Sequence, residues 1–245
     1  MIRARIAAEE LGPLATIVLR ETSQAVDWTA AMAAGARVLG HVSTYAEDAD
    51  GTRVALDEAS VDAAVDAWTR KVNVTGFLFD VDPGTDNETS VLEAYLDHAR
   101  TALAAGAANV TAPHFAVRPT ELANAGAVAG IDDELVVVTH WGPQAGLEAL
   151  TLPSWATGLP SWRFAGVVYD SSEWACSMDD LRARGVFWVY ATAEDAQLAR
   201  LDDDWADERT VVERNLDTVA PCADSAPART AASLLAGAVL LLCML

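Results

Sequence analysis

The feature that most constrains this chain is an alternation, repeated seven times, of a short β-branched apolar run and a helix-like stretch. The runs are Ala15–Arg20, Arg37–Ser43, Val74–Val81, Asn109–Phe115, Leu135–His140, Phe164–Asp170 and Val186–Ala191. Each is almost continuously apolar, as parallel strands buried on both faces must be. The intervening stretches are amphipathic at helical spacing. Val61, Val65 and Trp68 recur at i, i+4, i+7, and Val91, Tyr95, Ala99 and Leu103 continue the pattern further on. Ser90 and Glu93 form a capping-box pair there, and Gly106 a stop. A last helix is expected from Ala193 to about Leu216. Strands separated by helices imply a parallel α/β fold. A closed (β/α)8 barrel of TIM type needs eight strands, and the first recognisable element, Arg3–Leu11, reads as a helix. The expected fold is therefore such a barrel lacking its first strand, with an open seven-stranded sheet as the alternative.

Charge and composition narrow the function. The 245 residues carry 36 acidic and 16 basic side chains, a formal charge of -20. That charge repels phosphate backbones and anionic lipid, which argues against nucleic acid as a partner and against a membrane-docking folded surface. With 52% hydrophobic residues the chain has ample material for a core. Part of the positive mean hydropathy, +0.17, sits in the uncharged run from Ala231 to Leu245. Small residues (Ala223, Asp224, Ser225, Ala226), a short spacer and this apolar tail follow the pattern of a GPI-attachment signal, with a tail anchor or a frayed tail as alternatives. The organisation read from these signals is a barrel over 1–219, a linker over 220–230 and the tail over 231–245, with membrane contact through the tail alone. The N-terminal MIRARIAAEEL has no apolar stretch of signal-peptide type, which conflicts with a GPI signal unless residues precede it. Cys176 and Cys222 can pair in an oxidising compartment or stand as free thiols. Sequons at Asn73, Asn87 and Asn109 are weakly in keeping with a secreted glycoprotein.

In a β/α barrel, chemistry collects at the carboxyl ends of the strands. The sharpest candidates there are Asp80 and Asp82, which share a face at a period of two with Gly76 and Leu78. A strand-end carboxylate suits acid–base work on a glycosidic bond, and equally suits capping of the next helix. Asp82 precedes Pro83-Gly84, a turn signal that strengthens its structural reading. His140 joins these two as a catalytic candidate. His41, Tyr45, His114, Trp141, Asp170, Glu173, Trp174 and Tyr190 stand at or just beyond the other strand ends as candidate substrate contacts. The tryptophans of the later loops are sugar platforms if exposed and core if buried. His41, His114, His140 and Asp80 are also residue types that hold Zn²⁺ or Fe²⁺, but their spacing matches no local metal motif. A metal-dependent hydrolase thus stands as an alternative only, and no cofactor is assigned.

Three of these strands resemble those of the spherulin-4-like family. Arg37–Tyr45 is similar to its RVLGYVxTxY strand, Val74–Asp80 to its VDGIFFDE strand and Arg184–Thr192 to its GVGWVYVTD strand. Leu201–Trp205 resembles its closing helix, so the resemblance covers roughly Ala15 to Asp207. It implies a (β/α)8 barrel related to glycoside hydrolases. It further implies a secreted or cell-surface setting and polysaccharide, of the galactosamine-containing exopolysaccharide type, as partner. The family's strand-four Asp falls on Asp80, whereas Val81 replaces the acidic residue that follows it. The family's Asn falls near Pro113-His114 and its strand-six Glu on His140, so two of three polar groups are exchanged. General acid catalysis contributes about 10²–10⁴-fold. The resemblance is therefore to a hydrolase with other acid–base partners, or to a glycan-binding relative without the activity.

Overall fold

Every one of the seven apolar runs contributes a parallel strand in the computed structural model, which describes residues 15–19, 27–48, 50, 52–81, 86–106, 110–171, 174–191 and 239–242. In chain order the elements begin with β1 (Ala15–Leu19), α1 (Thr29–Ala33) and β2 (Arg37–Ser43). A small antiparallel hairpin, β3 (Tyr45–Glu47) and β4 (Arg53–Ala55), leaves the carboxyl end of β2. Then come α2 (Glu58–Lys71), β5 (Gly76–Val81), α3 (Asp86–Ala105), β6 (His114–Pro119) and α4 (Gly126–Ala129). β7 (Val136–Pro143), α5 (Gln144–Leu147), β8 (Phe164–Tyr169), α6 (Trp174–Ala183), β9 (Trp188–Ala191) and β10 (Val239–Leu242) complete the set.

The architecture is mixed α/β, with the parallel strands curled into one sheet. Hydrogen-bonded order runs β2-β5-β6-β7-β8-β9, and β1 lies outside β2. The remaining strand, β10, comes from within the apolar tail. It pairs in parallel with β1 over four positions, from Ala15↔Val239 to Val18↔Leu242, and with β9 at Val239↔Val189. The tail thus supplies a strand at the place where the sequence left a gap. The expected helices at Arg3–Leu11 and Ala193–Leu216 lie outside the described residues, as does the linker.

Alternation sorts the side chains into two cores. One face of the sheet, with Leu39, Leu78, Ala116, Val138, Ala165 and Trp188, points into the curl. The other, with Val38, Phe77, Phe79, Val117 and Val137, meets the helices. Phe77 and Phe79 are fully buried, each contributing about 1.5–3 kcal/mol relative to exposure. α2 forms where expected: Asp57 caps it by accepting from the Ser60 amide at 2.7 Å, and Val61, Val65 and Trp68 are buried. Trp68 lies against Gly40 of β2, where a Cβ would sit 2.8 Å from the indole ring. Arg163 is a polar group built into the apolar core. Its guanidinium donates to the carbonyls of Leu135 and Ala129, both at 2.6 Å, and of Asp132 at 2.8 Å, which answers the cost of burying it.

Three expectations are corrected. β6 begins at His114 instead of ending near it, because the run before Pro113 is not strand and the alternation His114-Phe115-Ala116-Val117 is. α3 starts at Asp86, so Ser90 lies inside the helix and not at its N-cap position. Its buried face is Leu92, Tyr95, Leu96, Ala99 and Leu103, while Val91 is 39% exposed.

Candidate functional site

Strand register assembles a polar cluster at the carboxyl end of the sheet. β5 pairs with β2 so that Asp80 stands opposite Ser43, and with β6 so that Asp80 stands opposite Arg118. His41, two residues before Ser43, projects from the same face of β2. His41 Nε2 meets Asp80 Oδ2 at 2.8 Å, and the Arg118 guanidinium donates to the same oxygen. Thr44 holds the strand end by donating its amide and hydroxyl to the Asp80 carbonyl at 3.1 and 2.8 Å. The indole N–H of Trp68 donates to the His41 carbonyl at 3.0 Å. Arg118 in turn lies over the ring of Trp141 on β7, 4.6 Å from its centroid, a cation–π contact.

Asp80 is only 3% exposed. Burial works to raise its pKa, but the hydrogen bond and charge of His41, and then Arg118, outweigh it and hold the carboxyl below its usual range. It is therefore ionised at neutral pH. A general acid needs the opposite tuning, so this carboxylate does not protonate a leaving oxygen. What it does is orient two cationic or donor groups, one of them laid on an aromatic face. Its second oxygen, Oδ1, is buried and has no hydrogen-bond partner among the described residues.

The other sequence candidates are dispersed. His140 is on β7, but an irregularity between Val138 and His140 sets it opposite Gly166 while Trp141 faces Val167. Val167 points into the curl, whereas Gly166 points at Leu181 of α6. His140 is thus on the helix side of the sheet, away from Asp80, and its imidazole lies near Gly146 of α5. Burial depresses its pKa against the pull of hydrogen bonds to the Gly142 and Pro143 backbone. His114 opens β6 and so sits at the amino end of the sheet, opposite Gly76. Tyr45 belongs to the hairpin, where Arg53 lies 5.2 Å from its ring centroid. Asp170 is exposed just beyond β8 with φ 51°, a left-handed conformation unusual outside glycine. Asp82 and Glu173 lie outside the described residues, and the side chains of Trp174 and Tyr190 are likewise not described.

Among the described residues no three His, Cys, Asp or Glu side chains stand together as a metal would require, and the three strand histidines do not converge. Arg118 is the site residue that sequence reasoning missed. Its signal was the alternation from His114 to Arg118 closed by Pro119. Cys176 is disulfide-bonded, while Cys222 and Cys243 lie outside the described residues. No described helix is long and apolar enough to cross a membrane. Compared with known proteins, the chain matches no family model and no curated protein.

Proposed function

We propose that this protein is a spherulin-4-like (β/α)8 barrel of the cell surface whose strand-end cluster binds polysaccharide without cleaving it. The observation that carries the reading is Asp80, a buried ionised carboxylate clamped by His41 and Arg118 beside Trp141. Such a carboxylate positions donors and has no proton to give a leaving oxygen, so cleavage would need a separate acid beside it. An aromatic face with a few fixed polar groups is the composition of a sugar subsite. The orientation of His140 toward the helix layer agrees with this, since it removes the residue standing at the family's strand-six Glu. Galactosamine-containing exopolysaccharide is the first ligand to try, on the strength of the strand motifs. Surface attachment through 231–245 competes with the use of Val239–Leu242 as β10.

The test combines binding with reducing-end release. Purified protein is expected to be retained on galactosamine-rich polysaccharide and to release no reducing sugar above an Asp80→Asn control. Trp141→Ala should weaken retention at least ten-fold, the loss of one aromatic anchor, while far-UV circular dichroism shows that it remains folded. Release that vanishes in Asp80→Asn would establish a hydrolase instead. Failure to bind any polysaccharide would overturn both readings.

A further inference from the structure

The inner face of the sheet is not filled at its amino end. A cavity of ≈ 240 Å³ opens there, at the opposite end of the strands from Asp80. That is room for about eight waters at ~30 Å³ each. Its deep wall is apolar, made by Val18, Leu39, Leu78 and Val138. Its mouth carries Arg37, His114, Glu134 and Trp188.

Arg37, the first residue of β2, is half-buried at this mouth. Its guanidinium lies 4.2 Å from the ring centroid of Trp188. Trp188 is itself buried, and its indole N–H donates to the Trp162 carbonyl at 2.8 Å. The stack orients the guanidinium, and among the described residues no hydrogen bond occupies its N–H edge. Among the described residues no carboxylate pairs with Arg37, and the only influence on its pKa is the lowering effect of burial. A partly desolvated cation without a counter-ion is costly unless something else supplies one. His114 does not, because burial and the charge of Arg37 hold its pKa down to about 4 and it is neutral at pH 7.

We propose that this amino-end cavity is a binding site for a small monocarboxylate with an apolar, ring-sized body, the carboxylate pairing with Arg37 and the body filling the apolar interior. The planar fork of a guanidinium matches a planar carboxylate through two parallel hydrogen bonds. One cation, with Glu134 at the rim of a protein of charge -20, does not favour a dianion such as a phosphate monoester. The apolar walls favour a hydrocarbon body over a sugar. The site shares Trp141 with the polysaccharide reading but rests on Arg37, at the other end of the strands.

Trp141, Trp162 and Trp188 line the cavity, so intrinsic tryptophan emission reports occupancy. The full chain is titrated with 3-phenylpropionate and, as its uncharged counterpart, 3-phenylpropanol. The expected result is a saturable change with the acid, binding at least ten-fold tighter than the alcohol. Arg37→Met should abolish that preference, a loss of about ten- to a hundred-fold for the acid, as for a charge-assisted hydrogen bond. Ala116→Leu, which fills the interior and keeps the guanidinium, should weaken both ligands and serves if the Arg37 variant does not fold. No saturable response to the acid would overturn the proposal. So would equal affinity for acid and alcohol, a preference that survives Arg37→Met, or an Ala116→Leu variant that binds as the parent does.

Discussion

His41, His114 and His140 share a side chain and differ in everything that decides its chemistry. His41 faces an ionised carboxylate at 2.8 Å. His140 is turned to the helices, its Nε2 buried and without a hydrogen-bond partner among the described residues. His114 is desolvated beside Arg37 and titrates at about 4. Burial lowers the pKa of both His140 and His114, with a consequence for stability. Each folded-state pKa lies below the ordinary value of about 6.5, so the unfolded chain takes up these protons first. The stability is full above that value and is lost as pH falls, for His114 through the window from about 6.5 to about 4. The urea midpoint is therefore expected to fall across this window. His114→Gln should flatten the dependence by up to one proton, and a pH profile that the substitution leaves unchanged would contradict the assignment. None of this was legible in the sequence, where all three histidines stood near the ends of apolar runs. Burial and neighbours, which set the proton's affinity, are properties of packing.

At the scale of elements, period-two and period-3.6 patterns placed the strands and α2 because side-chain direction follows directly from backbone geometry. They failed at boundaries. β6 was displaced, since the apolar stretch before it continues the pattern and only Pro113 interrupts it. That shift put His114 in the site on paper and left Arg118 out of it. The pairing of β5 with β6 depends on Gly76, which lies opposite His114. A Cβ there would stand 1.7 Å from the His114 carbonyl oxygen, a backbone atom that cannot rotate aside. Gly76→Ala is accordingly expected to cost more than about 3 kcal/mol, in the class of severe strain. Equilibrium unfolding measures it, and a loss under about 1 kcal/mol would show that the strands can slide apart cheaply.

For the whole molecule the informative element is the apolar tail. Composition alone reads it as a membrane-directed signal; the structure uses Val239–Leu242 to bridge β1 and β9. The two uses differ in one measurable respect. A chain ending at Thr230 would expose the edges of β1 and β9 to water and to other chains. It would also forgo the β10 hydrogen bonds, at about 1 kcal/mol each. It is expected to lose about 3 kcal/mol of stability and to aggregate more readily on heating. A truncated chain with the full-length unfolding midpoint would return the tail to its reading as an anchor signal.

The sequence by itself determined the α/β class, the parallel character of the strands and the position of Asp80 at a strand end. Each follows from local periodicity, which the chain carries in its own order. Only tertiary structure decided that Asp80 is clamped by Arg118, that His140 turns away, that the tail pairs with β1, and that Arg37 faces an apolar cavity at the far end. These depend on strand register and on which distant segments share an edge, and register is set by packing summed over the whole sheet.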